Sequence, residues 1–546
     1  MVLFYLFFDI MDECNLFGDF NYLEVYNCFL EIKNVPIDIL KDNNNENNLN
    51  KLNTILDIFY LLKDKINNKL IINIIFDKEE LPNEISFYQY FLLSLYSFLN
   101  IYYSNNQLII IKFPQIFKNS KTPNFNLSIN LNLSTNLISI NTKTINYKNK
   151  NNINLLENLK IILSQIDESL LLKNNKLFEY NYTCFAGTFD RCHLGHLFLI
   201  QTSLLLSKNN CFIGVCSDEM IKHKGSFSLL QKNYVRRKKI EEIINLNGYN
   251  NNKFEVKTIF DSVDMAGKEK SLNCLIVTSE TYKGGLYCNE IRKKNNLNPV
   301  DLCIINVIKI NFENSEKISS SFLRNDIINM IPINKLDKVY FIFLDLIKKL
   351  NCDNDDLIGF WWNEIEENYC KKWKFYHNLN HIYSFIELYE QYNNLIEGNK
   401  NDFLLSIFFH DIIYIPLRND NEKESVKLFE RFYEEIKPNN INKDNVKKFI
   451  YETENHLLAK EYSNDINLFL DMDIYIIADK NWEEYENNIR KEFIFVNDEM
   501  YNIKRKEFLE SLEKKEKIFR TKTFYDKYEN DGRNNIKNII NKLNNI

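Results

Sequence analysis

From residue 179 onward, short apolar runs alternate with helical stretches, and this alternation restricts the middle of the chain to one kind of fold. "YTCFAG" (182–187), "CFIGVCS" (211–217), "CLIVTS" (274–279) and "CIINVIKI" (303–310) have the length and near-continuous apolarity of strands buried on both faces. "HLFLIQTSLLLSK" and "RRKKIEEIINL" between them have helical periodicity. Parallel strands need crossover connections, so strand and helix in alternation predict a parallel α/β sheet over 179–333. From 334 to the end the periodicity is helical almost throughout, which predicts an all-α domain. Residues 1–178 read as a mixed α/β region. "LIINIIFD" and "VLFYLFF" look like buried strands, "NEISFYQYFLLSLYSFLNIYYS" like a helix, and "NFNLSINLNLS" alternates strictly as a strand does. "STN" then offers a turn into a second strand, "LISINTKTINY", while "NNNENNLN" and "NYKNKNN" read as loops.

Three domains suit a chain of 546 residues at about 100–200 residues each. The residues are 45% hydrophobic and 14% aromatic, enough to build packed cores. A net charge of -6 offers no basic footprint for nucleic acid, and "RRKK" at 236–239 reads as a solvated helix face. The 11 cysteines never form CxxC, which points to a reducing compartment and not to a disulfide framework. "MVLFYLFFD" is too short to span a membrane, and no other apolar run reaches that length. A cytoplasmic protein without membrane or nucleic-acid partners is expected; oligomeric state is not legible.

Only 7 His and 12 Gly occur in the chain, yet "GTFDRCHLGH" (187–196) holds two of each. It follows the first strand and opens the first helix. Helix N-termini carry unpaired N–H groups and a partial positive charge, so they bind phosphate. His193 and His196 share one face of the first turn, Gly187 and Gly195 allow close backbone approach, and Thr188 adds a hydroxyl. Asp190 reads as an Asx-type cap of the loop.

This stretch resembles the HxGH signature of the nucleotidyltransferase superfamily, and "GTFDR" is most similar to phosphopantetheine adenylyltransferase, in particular the form within eukaryotic coenzyme A synthase. Four further segments resemble that family in order: "IGVCSDEMIKHKG", "LLQKNYVRRKKIEEI", "LIVTSETYKGG" and "KISSSFLR". The resemblance implies transfer of the adenylyl group of ATP, accompanied by Mg2+, to 4'-phosphopantetheine, with pyrophosphate leaving. It implies that Thr188 and Lys224 hold the attacking phosphate and that His196, helped by His193, stabilises charge at the α-phosphate. It places Arg236 (with Arg237 as the alternative), Ser319, Ser320, Ser321 and Arg324 on the nucleotide. A cytidylyltransferase is the second reading, although such enzymes carry an "RTEGISTS"-type segment where this chain has "KISSSFLR". No GxxxxGK[ST] phosphate loop exists in the chain, so no kinase of that type follows; "AGKEKS" (266–271) lacks the spacing.

The remaining histidine chemistry lies in the C-terminal third. "FYHNLNHI" (375–382) puts His377 and His381 four apart on one face of a helix start, and "LLSIFFHDIIY" (404–414) sets His410 and Asp411 inside an apolar helix. A buried His-Asp pair is costly unless something binds it, and imidazole with carboxylate suits a divalent metal. The order of these residues with "DNEKES", "YETENH", "LFLDMDIYII", "IRKEF" and "GRNNI" resembles the HD superfamily of metal-dependent phosphohydrolases. By position the resemblance implies His381, His410, Asp411 and Asp473 as metal ligands, with His377 and Asp471 as alternatives. Lys374 stands where that group often has arginine, which weakens a phosphate-fork role there.

Overall fold

The computed structural model describes, within residues 1–179, the strands and helix named below and a few single positions. From 180 onward it describes all residues except 248–252, 306–308, 312–315, 318, 372, 417, 456–461, 495 and 545–546. The expected strand "VLFYLFF", the loop "NNNENNLN", the part of "NYKNKNN" beyond Asn146 and His456 of "YETENH" lie outside the described residues. The chain divides into two compact units, one ending at Asn325 and the other beginning at Asp326.

Among the described residues the first unit contains two large sheets and a small antiparallel pair, Lys309–Asn311 with Glu316–Lys317. The N-terminal sheet has strands β1 (Asn27–Val35), β2 (Lys69–Phe76), β3 (Leu108–Lys112), β4 (Leu127–Asn132), β5 (Leu137–Ile140) and β6 (Lys143–Asn146), in the order β3-β2-β1-β4-β5-β6. The first four run parallel, and β4-β5-β6 is an antiparallel meander. "LISINTKTINY" is therefore a hairpin, not one strand: Leu137 pairs with Asn146 and Ile140 with Lys143. Helix α1 (Ile85–Tyr102) is largely apolar on every side because it is buried on every side: Tyr88, Tyr90, Phe91, Leu93 and Ser94, which point in different directions around the axis, are all buried.

The second sheet is the expected parallel one. Its strands are β7 (Tyr180–Gly187), β8 (Ser207–Cys216), β9 (Phe254–Ile259), β10 (Cys274–Thr278) and β11 (Asp301–Ile305), in the order β11-β10-β7-β8-β9. All pairings are parallel. Side chains alternate between faces: Phe185, Ile213 and Ile276 belong to one core, Cys184, Phe212 and Leu275 to the other. Helices α2 (Leu194–Leu206) and α3 (Asn233–Asn247) cover the first face, and α4 (Tyr282–Lys294) the second. The strand order reverses between β7 and β10. In doubly wound sheets ligands bind in the crevice at that reversal, beyond the carboxyl ends of the strands, and the loop after β7 opens there.

The two sheets share one core, which runs from Leu30, Ile72 and Leu92 through Phe198 and Leu205 to Ile213. A buried polar junction crosses it. Gln201 of α2 accepts from the Tyr96 hydroxyl (2.6 Å) and donates to the Ile111 carbonyl (2.5 Å) and the Asn247 side chain (2.9 Å). Tyr96 in turn accepts from Ile111 N–H (3.3 Å). The helix that opens with the histidine pair is thus tied at its middle to the N-terminal sheet.

The second unit is helical: α6 (Ile333–Lys349), α7 (Asp355–Tyr369), α8 (Leu379–Tyr392), α9 (Lys400–Phe409), α10 (Asn421–Ile436), α11 (Lys443–Glu452), α12 (Asn464–Ile474), α13 (Trp482–Glu492), α14 (Asp498–Glu513) and α15 (Lys522–Asn544). A further helix, α5 (Ser320–Met330), spans the boundary between the units. Asparagine abundance is put to structural use here. The side chains of Asn354, Asn378, Asn399, Asn442 and Asn497 accept backbone N–H groups at five helix N-termini. Trp361, Phe343, Phe408, Phe409 and Phe432 are fully buried and build an aromatic core. Among the described residues no helix is long and apolar enough to cross a membrane.

Candidate functional site

The loop after β7 is held by its own geometry. Phe189 and Arg191 take positive φ (54° and 49°), which turns the chain sharply from strand to helix. Phe189 is fully buried and meets Phe185 edge to face at 6.0 Å. Its ring stands 3.1 Å from where a Cβ on Gly187 would lie, so a side chain here would require the ring to give by a few tenths of an ångström. His193 caps α2 with extended backbone, and its ring stacks on His196 at 3.8 Å. His196 Nδ1 accepts from His193 N–H at 3.4 Å. Burial lowers the His196 pKa to about 4, so at neutral pH the ring is uncharged. With Nδ1 accepting, its proton sits on Nε2, which makes that atom a donor.

Lys224 closes the short turn Lys222–Lys224 after β8, and its Nζ donates to Thr188 Oγ1 at 2.9 Å. Two residues expected to hold the attacking phosphate therefore meet across 36 positions of chain. At the start of α5, Ser319 Oγ accepts from Phe322 N–H (3.2 Å) and Ser320 Oγ donates to the Asp190 carbonyl (2.5 Å). That brings the serine segment to the loop after β7.

Two arginines sit differently from the expectation. Arg236 is not on a solvated face but fully buried. It donates to Thr188 O (2.7 Å), Gln231 O (2.9 Å) and Asp218 Oδ1 (2.8 Å). A guanidinium enclosed in this way ties Thr188 to Gln231 and Asp218. The Nε of Arg237, the alternative, is buried without a hydrogen-bond partner. Arg324 is nearly buried and pairs with Asp190 and with Ser321 Oγ (2.9 Å). Asp190 is not an Asx cap. Its Oδ1 accepts from Gln231 N–H (3.0 Å) and its Oδ2 from Arg324. Sequence reading missed Gln231 and Asp218, although both lie inside segments it quoted.

In the helical unit, ligand atoms of His381, His410, Asp411 and Asp473 all lie within 4.8 Å of one another. His381 Nε2 and His410 Nε2 face each other at 3.0 Å, and Asp473 Oδ1 lies 3.3 and 3.5 Å from them. Asp411 Oδ2 is 3.4 Å from His410 Nε2 and 3.8 Å from His381 Nε2. His410 Nδ1 donates to the Ile407 carbonyl (2.9 Å), which turns its Nε2 toward the cluster.

The local structure around these residues departs from the sequence reading. Helix α9 ends at Phe409 with His410 as its cap, so Asp411 lies beyond the helix and not within it. Asn378 caps α8, so His377 precedes the helix and shares no helical face with His381. His377 Nδ1 pairs with Glu492 Oε2 (2.7 Å), its ring stacks on Tyr414 (3.7 Å), and its Nε2 is 4.0 Å from Asp411 Oδ2. Asp471 faces elsewhere: it accepts from Arg520 N–H (2.6 Å), Thr521 N–H (2.7 Å) and the Thr521 hydroxyl (2.6 Å), just ahead of α15.

The quoted motifs acquire physical roles. Glu492 of "IRKEF" orients His377, and its Oε1 also accepts the N–H groups of Tyr376 and His377 (2.7 and 2.9 Å). Asn421 and Ser425 of "DNEKES" clamp the segment after Asp411 through the backbone of Ile415 and Ile413. Lys374 is buried and donates to the Asp411 and Ile412 carbonyls (2.8 and 3.1 Å); burial lowers its pKa to about 7. It fixes the Asp411 turn rather than forking a phosphate.

Comparison with known proteins agrees with the geometry of the first unit. The cytidylyltransferase-like family matches residues 184–326. The phosphopantetheine adenylyltransferase of Thermococcus kodakarensis is 35% identical over 151 residues, 28% of this chain and 88% of that protein. The phosphopantetheine adenylyltransferase of Pyrococcus furiosus is 32% identical over 162 residues, 29% of this chain and 98% of that protein. The bifunctional phosphopantetheine adenylyltransferase/NTP phosphatase of Thermoplasma volcanium is 31% identical over 143 residues, 26% of this chain and 42% of that protein. Through its parallel-sheet domain the chain belongs to the phosphopantetheine adenylyltransferase family.

Proposed function

We propose that the first unit transfers the adenylyl group of ATP to 4'-phosphopantetheine, giving dephospho-coenzyme A and pyrophosphate. The observation that carries this reading is the Lys224–Thr188 contact beside the stacked His193 and His196, at a helix N-terminus on the reversal of a doubly wound sheet. Lys224 and Thr188 hold the 4'-phosphate, one oxygen of which attacks the α-phosphorus while the bond to the β-phosphate oxygen breaks. His196, neutral with its proton on Nε2, donates to the α-phosphate as charge builds there, and His193 backs it. The N-terminus of α5 with Ser319, Ser320 and Ser321 receives the departing pyrophosphate, and Mg2+ accompanies ATP. Catalysis of this kind rests on positioning and charge neutralisation. Full-length protein incubated with ATP and 4'-phosphopantetheine should yield dephospho-coenzyme A by mass and one equivalent of pyrophosphate. Comparable turnover with CTP and a phosphocholine-type acceptor would favour the cytidylyltransferase reading.

The helical unit fits a second, metal-dependent phosphohydrolase activity of the HD type. Two buried imidazoles and two carboxylates with converging ligand atoms are the donor set of a first-row divalent ion or Mg2+. His381, His410, Asp411 and Asp473 would hold the ion, which supplies Lewis acidity and an acidified water for phosphoester hydrolysis. Lys374, Asn421 and Ser425 keep the Asp411 turn in register, and Glu492 fixes the His377 ring at the edge of the cluster. Release of phosphate from generic phosphoesters that depends on added Mn2+, and is lost in Asp411→Ala, tests this activity.

A further inference from the structure

The family resemblance places Arg324 on the triphosphate, but the fold gives it a different partner. Asp190 is fully buried and Arg324 is 6% exposed. The Asp190 carboxylate receives Arg324 on one oxygen and Gln231 N–H on the other, while its carbonyl receives Ser320 Oγ. Arg324 also reaches Ser321 Oγ, and its Nε lies 3.7 Å from where a Cβ on Gly225 would stand. One buried pair therefore joins the loop after β7, the "LLQK" segment and the start of α5, and lies beside the turn that carries Lys224. Those segments, with the first turn of α2 that follows the loop, supply the phosphate-handling groups named above.

We infer that the Asp190–Arg324 pair is a positioning device that sets these segments in one frame, and that Arg324 is not a ligand of the triphosphate; the inference rests on the adenylyl-transfer reading. Swinging Arg324 to a phosphate would leave the buried Asp190 carboxylate without its counter-ion, holding only the Gln231 N–H, beside an incoming polyanion. The burial penalty and the like-charge repulsion both oppose that movement. With the pair intact, Thr188, His196 and Ser320 keep the spacing that an in-line displacement needs.

The test uses full-length Asp190→Asn, Arg324→Met and the double variant. It reads kcat, KM for ATP, and ATP affinity by calorimetry without acceptor. Loss of frame should lower kcat on the order of a hundredfold in each single variant, as misplacement of reacting groups does. KM for ATP should stay within about threefold of the parent, and the double variant should fall no further than either single, as expected of residues acting as one unit. If Asp190→Asn retains full kcat while Arg324→Met raises KM for ATP about tenfold or more, Arg324 is a triphosphate ligand and the inference is overturned. Should either variant fail to fold, Arg324→Lys keeps the charge and loses the second N–H; a fall in kcat at unchanged KM supports the pair, and a selective rise in KM overturns it. A parent protein that binds ATP but transfers nothing refutes the activity reading alone. The pair is then judged on affinity: unchanged ATP binding in Arg324→Met supports it, and about a tenfold loss confined to the Arg324 variant overturns it.

Discussion

Stripping a divalent ion from the C-terminal cluster and restoring it across a pH series should move one proton in the opposite direction. The two imidazoles there are not equivalent. Burial pushes His410 down, but the carboxylates of Asp411 and Asp473 outweigh it and lift the pKa to about 9. Burial holds His381 below its ordinary value. In chelated protein at pH 7, His410 therefore keeps a proton that faces His381 across 3.0 Å. Both imidazoles ligate only when neutral, so an arriving ion must displace that proton. Apparent affinity should rise about tenfold per pH unit, or about 1.4 kcal/mol, and level off above about pH 9. The same proton stabilises the chelated fold. A raised pKa contributes stability that is fully present below the unfolded value near 6.5 and is lost as pH rises through about 9. The Tm of chelated protein should therefore fall across that window, while the ion-loaded protein does not follow it. Calorimetric titration of Mn2+ into chelated full-length protein, in buffers of different ionisation enthalpy, counts the proton directly. About one proton per ion is expected at pH 7 and about a quarter of one at pH 9.5. Binding with pH-independent affinity and no proton release would refute the electrostatic reasoning, and absence of binding would refute the metal site itself.

Four other outcomes follow from the same geometry. His196→Ala should keep the fold and lower adenylyl transfer by on the order of a hundredfold or more, as for loss of a transition-state donor; near-normal turnover would remove His196 from the mechanism. Because burial holds its pKa at about 4, protonation of His196 should leave no acid limb in kcat between pH 8 and 5, which a pH–rate profile checks. Asp471→Ala should cost about 1–3 kcal/mol in urea unfolding by leaving the Arg520 and Thr521 N–H groups unpaired, yet retain metal, whereas Asp473→Ala should lose the metal. Gln201→Leu should cost a similar 1–3 kcal/mol by orphaning the Tyr96 hydroxyl and the Ile111 carbonyl, and unchanged stability would show that the junction is dispensable.

Much of the first unit was legible because its signals are local. "YTCFAG" and "CFIGVCS" are strands for the reason that continuous apolarity suits a doubly covered sheet, and "GTFDRCHLGH" marks a strand-to-helix turn through its glycines and its spacing. The hairpin within "LISINTKTINY" escaped notice because no Gly or Pro marks its turn. The positions of His377 and Asp411 outside their helices escaped for a different reason. Helical periodicity continues through a cap, and only the backbone hydrogen bonds reveal where the helix stops.

The buried ionic contacts lie on the other side of that divide. Nothing in a string of residues tells a solvated arginine from an enclosed one. "RRKK" has the composition of an exposed helix face, yet Arg236 is sealed by Thr188, Gln231 and Asp218 from three separate segments. Asp190 and Arg324 are 134 positions apart, and Asp471 and Asp473 differ by two residues on one helix while one holds the backbone just ahead of α15 and the other joins the histidines. Residue type and spacing determined which chemistry this chain could carry: phosphate at a helix start, and a divalent ion between imidazoles and carboxylates. Which charges face a ligand and which are consumed in holding the site together was decided by the tertiary structure alone. The cost of burying a charge depends on the partner that folding brings to it, and that partner is a property of the assembled core rather than of its neighbours in sequence.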